Sequence, residues 1–313
     1  MTRSGAEALS LLAAPLHVHA LEALQQGPME LLELHQAVGS PPESTIRMYT
    51  RKLDDLGLLE RRRRQEFPAT AEYRLTPAGD SLLTVASLLH DWLREAPGGP
   101  IQLGSIAGKS GTKALIGGWS SSIVRALAAC PLSLTELSML IPRSNYPSLG
   151  RKLGAMRSAK LLEPQPGDSR GTPYGATEWL RRAVIPLTAA IAWELKFLPE
   201  QTAAISPRDV EALFLLAIPL MSLAPEVTGR CRLAVEIRSG EPSTYAGVLL
   251  SIERGAVASC SSNLQGETHA SVSGPPVAWV RQMNGGPRGQ LDVSGNQSLA
   301  GTVTTALREI PKT

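Results

Sequence analysis

The stretch ESTIRMYTRKLDDLGLLE, residues 43–60, followed by the arginine run Arg61 to Arg64 and by AEYRLTPAG, residues 71–79, decides how the chain is read. Ile46, Leu53 and Leu56 fall at helical spacing on one face, which leaves Arg47, Arg51 and Lys52 on the other. Residues 58–64 and 70–75 have the composition of two short strands around a polar tip, and Pro77-Ala78-Gly79 opens a long helix reaching Leu93. The unit is a helix with a cationic outer face, a basic hairpin and a closing helix.

Working outward, the chain carries this unit a second time. ALEALQQGPMELLEL from Ala20 matches IVRALAACPLSLTEL from Ile123 at an offset of 103, so that Leu24 meets Leu127, Pro28 meets Pro131, Leu31 meets Leu134 and Leu34 meets Leu137. The offset holds without a gap to Leu58, Leu59 and Glu60, which meet Leu161, Leu162 and Glu163. Beyond the hairpin tip it becomes 101, aligning Tyr73 with Tyr174, Thr76 with Thr177 and Trp92 with Trp193, so the second tip is shorter. A register held this long indicates duplication. Each copy reads as a helix ending near Gly27-Pro28 or Cys130-Pro131, a short helix (31–38 or 134–141), a turn with Ser or Asn as helix caps, a second helix, a hairpin and a long helix, the second one spanning 178–198.

The totals are those of an ordinary globular protein, 43% hydrophobic and 19% charged, with 313 residues enough for two or three domains. Net charge is only +3, but residues 97–200 hold 12 basic against 6 acidic side chains, and seven basic residues gather between Arg47 and Arg64. Such clusters are the footprint of a phosphate-binding surface, or else a solvated charged face. Cys130, Cys231 and Cys260 lie far apart with no CxxC, which speaks against zinc and disulfides and for buried or partly buried thiols in a reducing compartment. The N-terminus mixes Glu and His into its apolar residues, unlike a secretory signal, and the longest apolar run, 213–224, is broken by Pro219 and too short to span a bilayer. A cytoplasmic location with no membrane partner is expected.

LDDLGLLERR, Glu72-Tyr73-Arg74-Leu75-Thr76-Pro77-Ala78-Gly79 and the helix from Leu82 to Trp92 resemble the HxlR-type winged helix-turn-helix transcription regulators, related to the MarR and ArsR groups. The second copy keeps Tyr174, Thr177 and Trp193 but has GATEW where that family has a strand ending in Leu-Thr and a glycine. The resemblance implies double-stranded DNA as partner, and dimers that present two winged helices to a palindromic site. A chain with two copies either imitates such a dimer or forms a homodimer itself.

Between the copies, APGGPIQLGSIAGKSGTKALIGG (96–118) reads as a glycine-rich linker in which Lys109 and Lys113 could meet phosphate. Its GSIAGKSGT is one residue short of a Walker motif and follows no apolar strand. After Leu198 the pattern changes: SPRDVEALFLLAIPLMSL reads as one apolar helix, and RCRLAVEIRS, YAGVLLSIER, GAVASCSS and THASVSG read as strands with a tight turn at Glu253-Arg254-Gly255. PPVAWVRQM, GGPRGQLDVSGN and SLAGTVTTALREI then read as helix, loop with strand, and helix. This ending resembles the sterol carrier protein-like fold, which implies an apolar tunnel for a hydrophobic small molecule. The expected fold class is mainly α with α+β: two tandem winged helix-turn-helix domains, 1–96 and 97–202, followed by a sterol carrier protein-like α+β domain, 203–313.

Reading DNA needs side chains that reach base edges from a helix in the major groove and cations on phosphate. The candidates are Ser44, Thr45, Arg47, Met48, Arg51, Lys52 and Arg61, Arg62, Arg63 and Arg64 of the first copy, with Ser144, Asn145, Ser148, Arg151, Lys152 and Arg170 of the second. Trp92, Trp119, Trp193 and Trp279 are candidates for stacking on a flat hydrophobic ligand, with core anchoring as the alternative. Catalysis has no support: His17 and His19 lack a third metal ligand, and there is neither a GxSxG elbow nor HExxH, so no cofactor and no enzyme are expected. The expectation is a regulator sensing a hydrophobic compound. The alternative is a protein that sequesters such a compound without binding DNA.

Overall fold

A computed structural model describes residues 4–63, 71–141, 145–166, 171–198, 205–237, 244–286 and 291–310. The first copy runs α1 (Ala6–Leu12), α2 (Pro15–Gln25), β1 (Met29–Glu30), α3 (Leu31–Ala37), α4 (Glu43–Asp55), β2 (Leu59–Arg63), β3 (Ala71–Leu75) and α5 (Pro77–Arg94), with sheet order β1-β3-β2. The second runs α6 (Ile106–Ser120), α7 (Ile123–Ala129), α8 (Leu134–Leu140), α9 (Tyr146–Ser158), β4 (Leu162–Pro164), β5 (Tyr174–Ala176), α10 (Glu178–Arg182) and α11 (Val184–Phe197).

The two segments share hydrogen bonds at the sequence offsets. Met29 pairs with Tyr73, and Leu132 with Tyr174; Leu59 pairs with Leu75, and Leu162 with Ala176. Thr76 accepts the Gly79 N–H and donates to Gly57 O, while Thr177 accepts the Leu180 N–H and donates to Lys160 O. α4 and α9 end alike: Gly57 N–H donates to Asp54 O and Leu58 N–H to Leu53 O, as Lys160 N–H does to Arg157 O and Leu161 N–H to Met156 O. This double bond closes a helix through a left-handed residue, at φ 69° for Gly57 and 62° for Lys160.

α5 packs along α11, and the contact is reciprocal. The Trp92 indole donates to Trp179 O at 2.8 Å, and the Trp193 indole donates to Ala78 O at 2.9 Å. Adding 101 to Trp92 and to Ala78 yields Trp193 and Trp179, so each copy offers the same donor to the same acceptor of the other. The Trp179 indole also donates to Trp92 O at 2.7 Å, and the two rings stack 4.4 Å apart. On the far side Glu194, buried in α11, accepts the N–H groups of Gly5, Glu7 and Ala8 at 3.0, 2.9 and 3.1 Å, an anion at the positive end of α1. Burial pushes its pKa up, against the pull of those donors.

The third segment has α12 (Pro207–Ala217), a 3-10 turn (Ile218–Leu220), β6 (Gly229–Ile237), β7 (Thr244–Glu253), β8 (Ala256–Ser261), β9 (Ala270–Gly274), α13 (Pro276–Met283), β10 (Asp292–Gly295) and α14 (Gln297–Glu309). Its sheet, ordered β10-β9-β6-β7-β8, pairs β6 with β9 in parallel and the others antiparallel. α12, α13 and α14 pack against it, with Trp279 edge-on to Phe214 at 4.8 Å and its indole donating to Ala234 O. α12 also packs on α7, which joins this segment to the second copy.

Four expectations need correction. The linker 96–118 is largely a helix, α6: Ser105 caps it, and Gly118 lies where a Cβ would sit 2.4 Å from Met156 Sδ, so the glycines let α6 press onto α9. The helix expected over 178–198 is broken at Ala183, because Pro186 has no N–H for the Arg182 carbonyl and its ring crowds that carbonyl. The apolar helix after Leu198 stops at Ala217, where Pro219 forces a 3-10 turn. Cys130 is exposed, although Cys231 is buried and Cys260 partly so; burial pushes those two thiols up to about 12 and about 11, which keeps them protonated.

Candidate nucleic-acid interface

α4 is set by Ile46, Thr50 and Leu53, which are buried and turn the remaining faces outward. Ser44, Arg47, Met48, Arg51 and Lys52 are exposed on it, Met48 at 61%, and Thr45 is half-buried. Arg61 and Arg62 extend this exposed surface along β2, which is paired with β3. The charge is tempered by neighbours: Arg47 pairs with Glu43, Arg51 with Asp55 at 3.9 Å, and Arg62 with Glu60 at 2.9 Å. Surface pairs of this kind are weak and open readily to a phosphate. Only the backbone of Arg63 is described, and Arg64 lies outside the described residues together with Ser144 and Arg170.

In α9 the buried stripe is Leu149, Leu153 and Met156. Asn145 caps the helix, its side-chain oxygen accepting the Ser148 N–H at 2.8 Å, so that oxygen is committed to the fold. Ser148 and Lys152 are half-buried and Arg151 is exposed. Arg157, a residue the sequence pattern did not single out, donates to the Tyr174 hydroxyl at 2.8 Å and lies over its ring, tying α9 to the hairpin. Met139, Leu140 and Tyr146 are exposed beside the turn, as Leu32 and Met48 are on the first copy.

The tryptophans sit elsewhere. Trp92, Trp193 and Trp279 are buried with their indole N–H groups given to backbone carbonyls, which is how interior anchors behave. Trp119 is buried as well, its N–H without a partner among the described residues. Trp179, likewise buried and bonded through its indole to a backbone carbonyl, also lines a cavity beside α9. His17 is buried, bonded through Nδ1 to Leu11 O and set against the Tyr49 ring, and burial lowers its pKa; His19 is exposed. No cluster of metal-ligating residues occurs among the described residues, and none of their helices is long and apolar enough to cross a membrane.

Comparison with known proteins finds a family match within the first 97 residues. The family model of the HxlR-like helix-turn-helix matches residues 17–97. Among solved structures, one described as a transcriptional regulator of the MarR family from Enterococcus faecalis V583 is 29% identical, covering 27% of this chain and 77% of that one, with a TM-score of 0.26. No curated protein matches the chain. Residues 17–97 therefore carry an HxlR-like helix-turn-helix, a module of the DNA-binding transcription-regulator type.

Proposed function

We propose that the chain is a ligand-responsive transcription regulator in which residues 97–202 form a second winged helix-turn-helix and residues 203–313 a sterol carrier protein-like domain. The observation that carries this is the reciprocal pair of indole hydrogen bonds, Trp92 to Trp179 and Trp193 to Ala78, at the same offset as the sequence repeat. A homodimeric regulator holds its two reading helices through such a contact, and here both sides are on one chain. The matching hairpin registers and helix ends support the same reading. α4 and β2 would present Arg47, Arg51, Lys52, Arg61 and Arg62 to one half-site, and α9 would present Ser148, Arg151 and Lys152 to the other. A bound small molecule would act by favouring one arrangement of the two reading helices, a population shift.

The test is the affinity of the purified chain for DNA from its own promoter region over a range of salt. Steep loss of affinity with rising salt supports the proposal, since each phosphate contact adds about −0.9 to the logarithmic slope. No binding at low salt refutes it.

A further inference from the structure

Between α6 and α9 lies a cavity of about 1000 Å3, large enough for a drug-sized molecule. Its walls are apolar or small: Ala107, Gly111 and Ala114 from α6, Ala155 and Ala159 from the α9 side, and the Trp179 indole. Four cations border it, Lys113, Arg151, Lys152 and Lys160, and no carboxylate is among the described lining residues. None of the four makes an ion pair within the described residues, whereas the reading face of α4 pairs Arg47 and Arg51 with acids.

Comparison of the two copies shows what opens this space. At the 103 offset, Lys152, Ala155 and Ala159 correspond to Tyr49, Lys52 and Leu56. In the first copy the Tyr49 ring is packed on His17, and bulk occupies the face that the second copy leaves clear. Lys160 points the same way. Its counterpart is Gly57, and both hold the left-handed conformation that glycine adopts freely and a lysine adopts at a cost. The second copy thus keeps a strained cation at the rim, as strained residues are kept where they serve a site.

We propose that this cavity binds an organic anion with a flat, apolar body, its acid group among Lys113, Arg151, Lys152 and Lys160 and its body against the alanines and Trp179. Arg151 and Lys152 are also the cations that α9 would offer to DNA phosphate. Ligand and DNA therefore compete for the same charges, and the ligand detaches the second reading helix. The competition rests on the DNA-binding role proposed above; the binding site does not.

The test is calorimetric titration of the full chain with 2-naphthoate, its neutral analogue 2-naphthamide, and inorganic phosphate. Naphthoate should bind one per chain and at least about tenfold more tightly than either other probe, as charge-assisted bonds and an apolar body each add to affinity. Gly117→Leu should weaken binding severalfold. A Cβ at Gly117 meets nothing within 4 Å, and the change raises helix propensity, so this variant puts a side chain at the cavity wall without loss of folding. Lys113→Gln and Lys160→Gly should each weaken naphthoate severalfold and leave naphthamide unchanged. Equal binding of acid and amide, equal binding of phosphate, no binding of naphthoate, or full binding by Gly117→Leu would each overturn the site. If naphthoate binds as expected yet leaves DNA affinity unchanged, the competition is overturned and the site stands.

Discussion

Exchange of the residues that end α4 and α9 should move stability in opposite directions. Lys160→Gly removes a side chain from the left-handed region, where it costs about 1–2 kcal/mol. Glycine returns about 0.4–1 kcal/mol of that by widening the unfolded ensemble, so a net gain of about 0.5–1 kcal/mol is expected. The bonds that define this helix end, Lys160 N–H to Arg157 O and Leu161 N–H to Met156 O, are made by backbone and survive the change, as does the Thr177 hydroxyl donating to residue 160 O. Gly57→Lys places a side chain in the same conformation at φ 69° with open space around its Cβ, so only the backbone penalty applies and a loss of similar size is expected. In urea unfolding followed by circular dichroism, with a slope of about 1–3 kcal/mol/M, the midpoints should move apart by several tenths molar in total. If Lys160→Gly lowers the midpoint, or Gly57→Lys leaves it in place, the left-handed conformation is not what distinguishes these positions.

Trp92→Phe and Trp193→Phe each remove an indole hydrogen bond, to Trp179 O and to Ala78 O, and each should cost about 0.5–1.5 kcal/mol in thermal or urea unfolding; Trp92→Phe should cost more because that ring also stacks on Trp179. Gly79→Ala drives a Cβ to 2.3 Å from Leu58 O at the start of α5, and a drop in melting temperature should accompany it, far larger than for Gly154→Ala, whose Cβ meets nothing. Asp209 on α12 is pushed up to about 6 by burial, against the pull of Arg125. A carboxyl whose folded pKa is raised makes stability fall as pH rises from about 4 to 6, so Asp209→Asn should flatten the pH–stability curve over that window, checked by urea titrations at several pH values. If the chain binds DNA as proposed, Lys52→Gln should weaken binding equally across sequences and reduce the salt slope by about 1, whereas Arg51→Gln, at a groove candidate, should change sequence preference instead.

Much of the fold was legible because helices and hairpins leave periodic marks. Ile46 and Leu53 announced the buried side of α4, and the offset at Leu58 to Glu60 announced the ends of α9 and β4. α6 was hidden because Gly108, Gly111, Gly117 and Gly118 depress helix propensity, and only the nearness of Met156 to Gly118 explains why tolerance of close packing outweighs that. The break at Ala183 was written in Pro186 but masked by an otherwise continuous apolar run. The exposed cations of α4 could be read from spacing, whereas the cavity could not. It depends on what is missing from Ala155 and Ala159, and on α6 lying across from them, a tertiary neighbour that no local pattern encodes. The tryptophans alone did not separate a ring that only packs, such as Trp92, from one that packs and also borders a space, such as Trp179, since both are buried and both give their indole N–H to a backbone carbonyl.

A contact such as that between Trp92 and Trp193 has a different logic on one chain than between two. Two separate copies would meet only above some concentration, and any substitution would strike both halves at once. Here the halves are tethered, so their pairing is independent of how much protein a cell holds. Each half can also differ from the other: one has a tyrosine packed on a histidine where the other borders a cavity ringed with charge. If both halves read DNA as proposed, the target need not be a palindrome, and the two ends would be open to different signals.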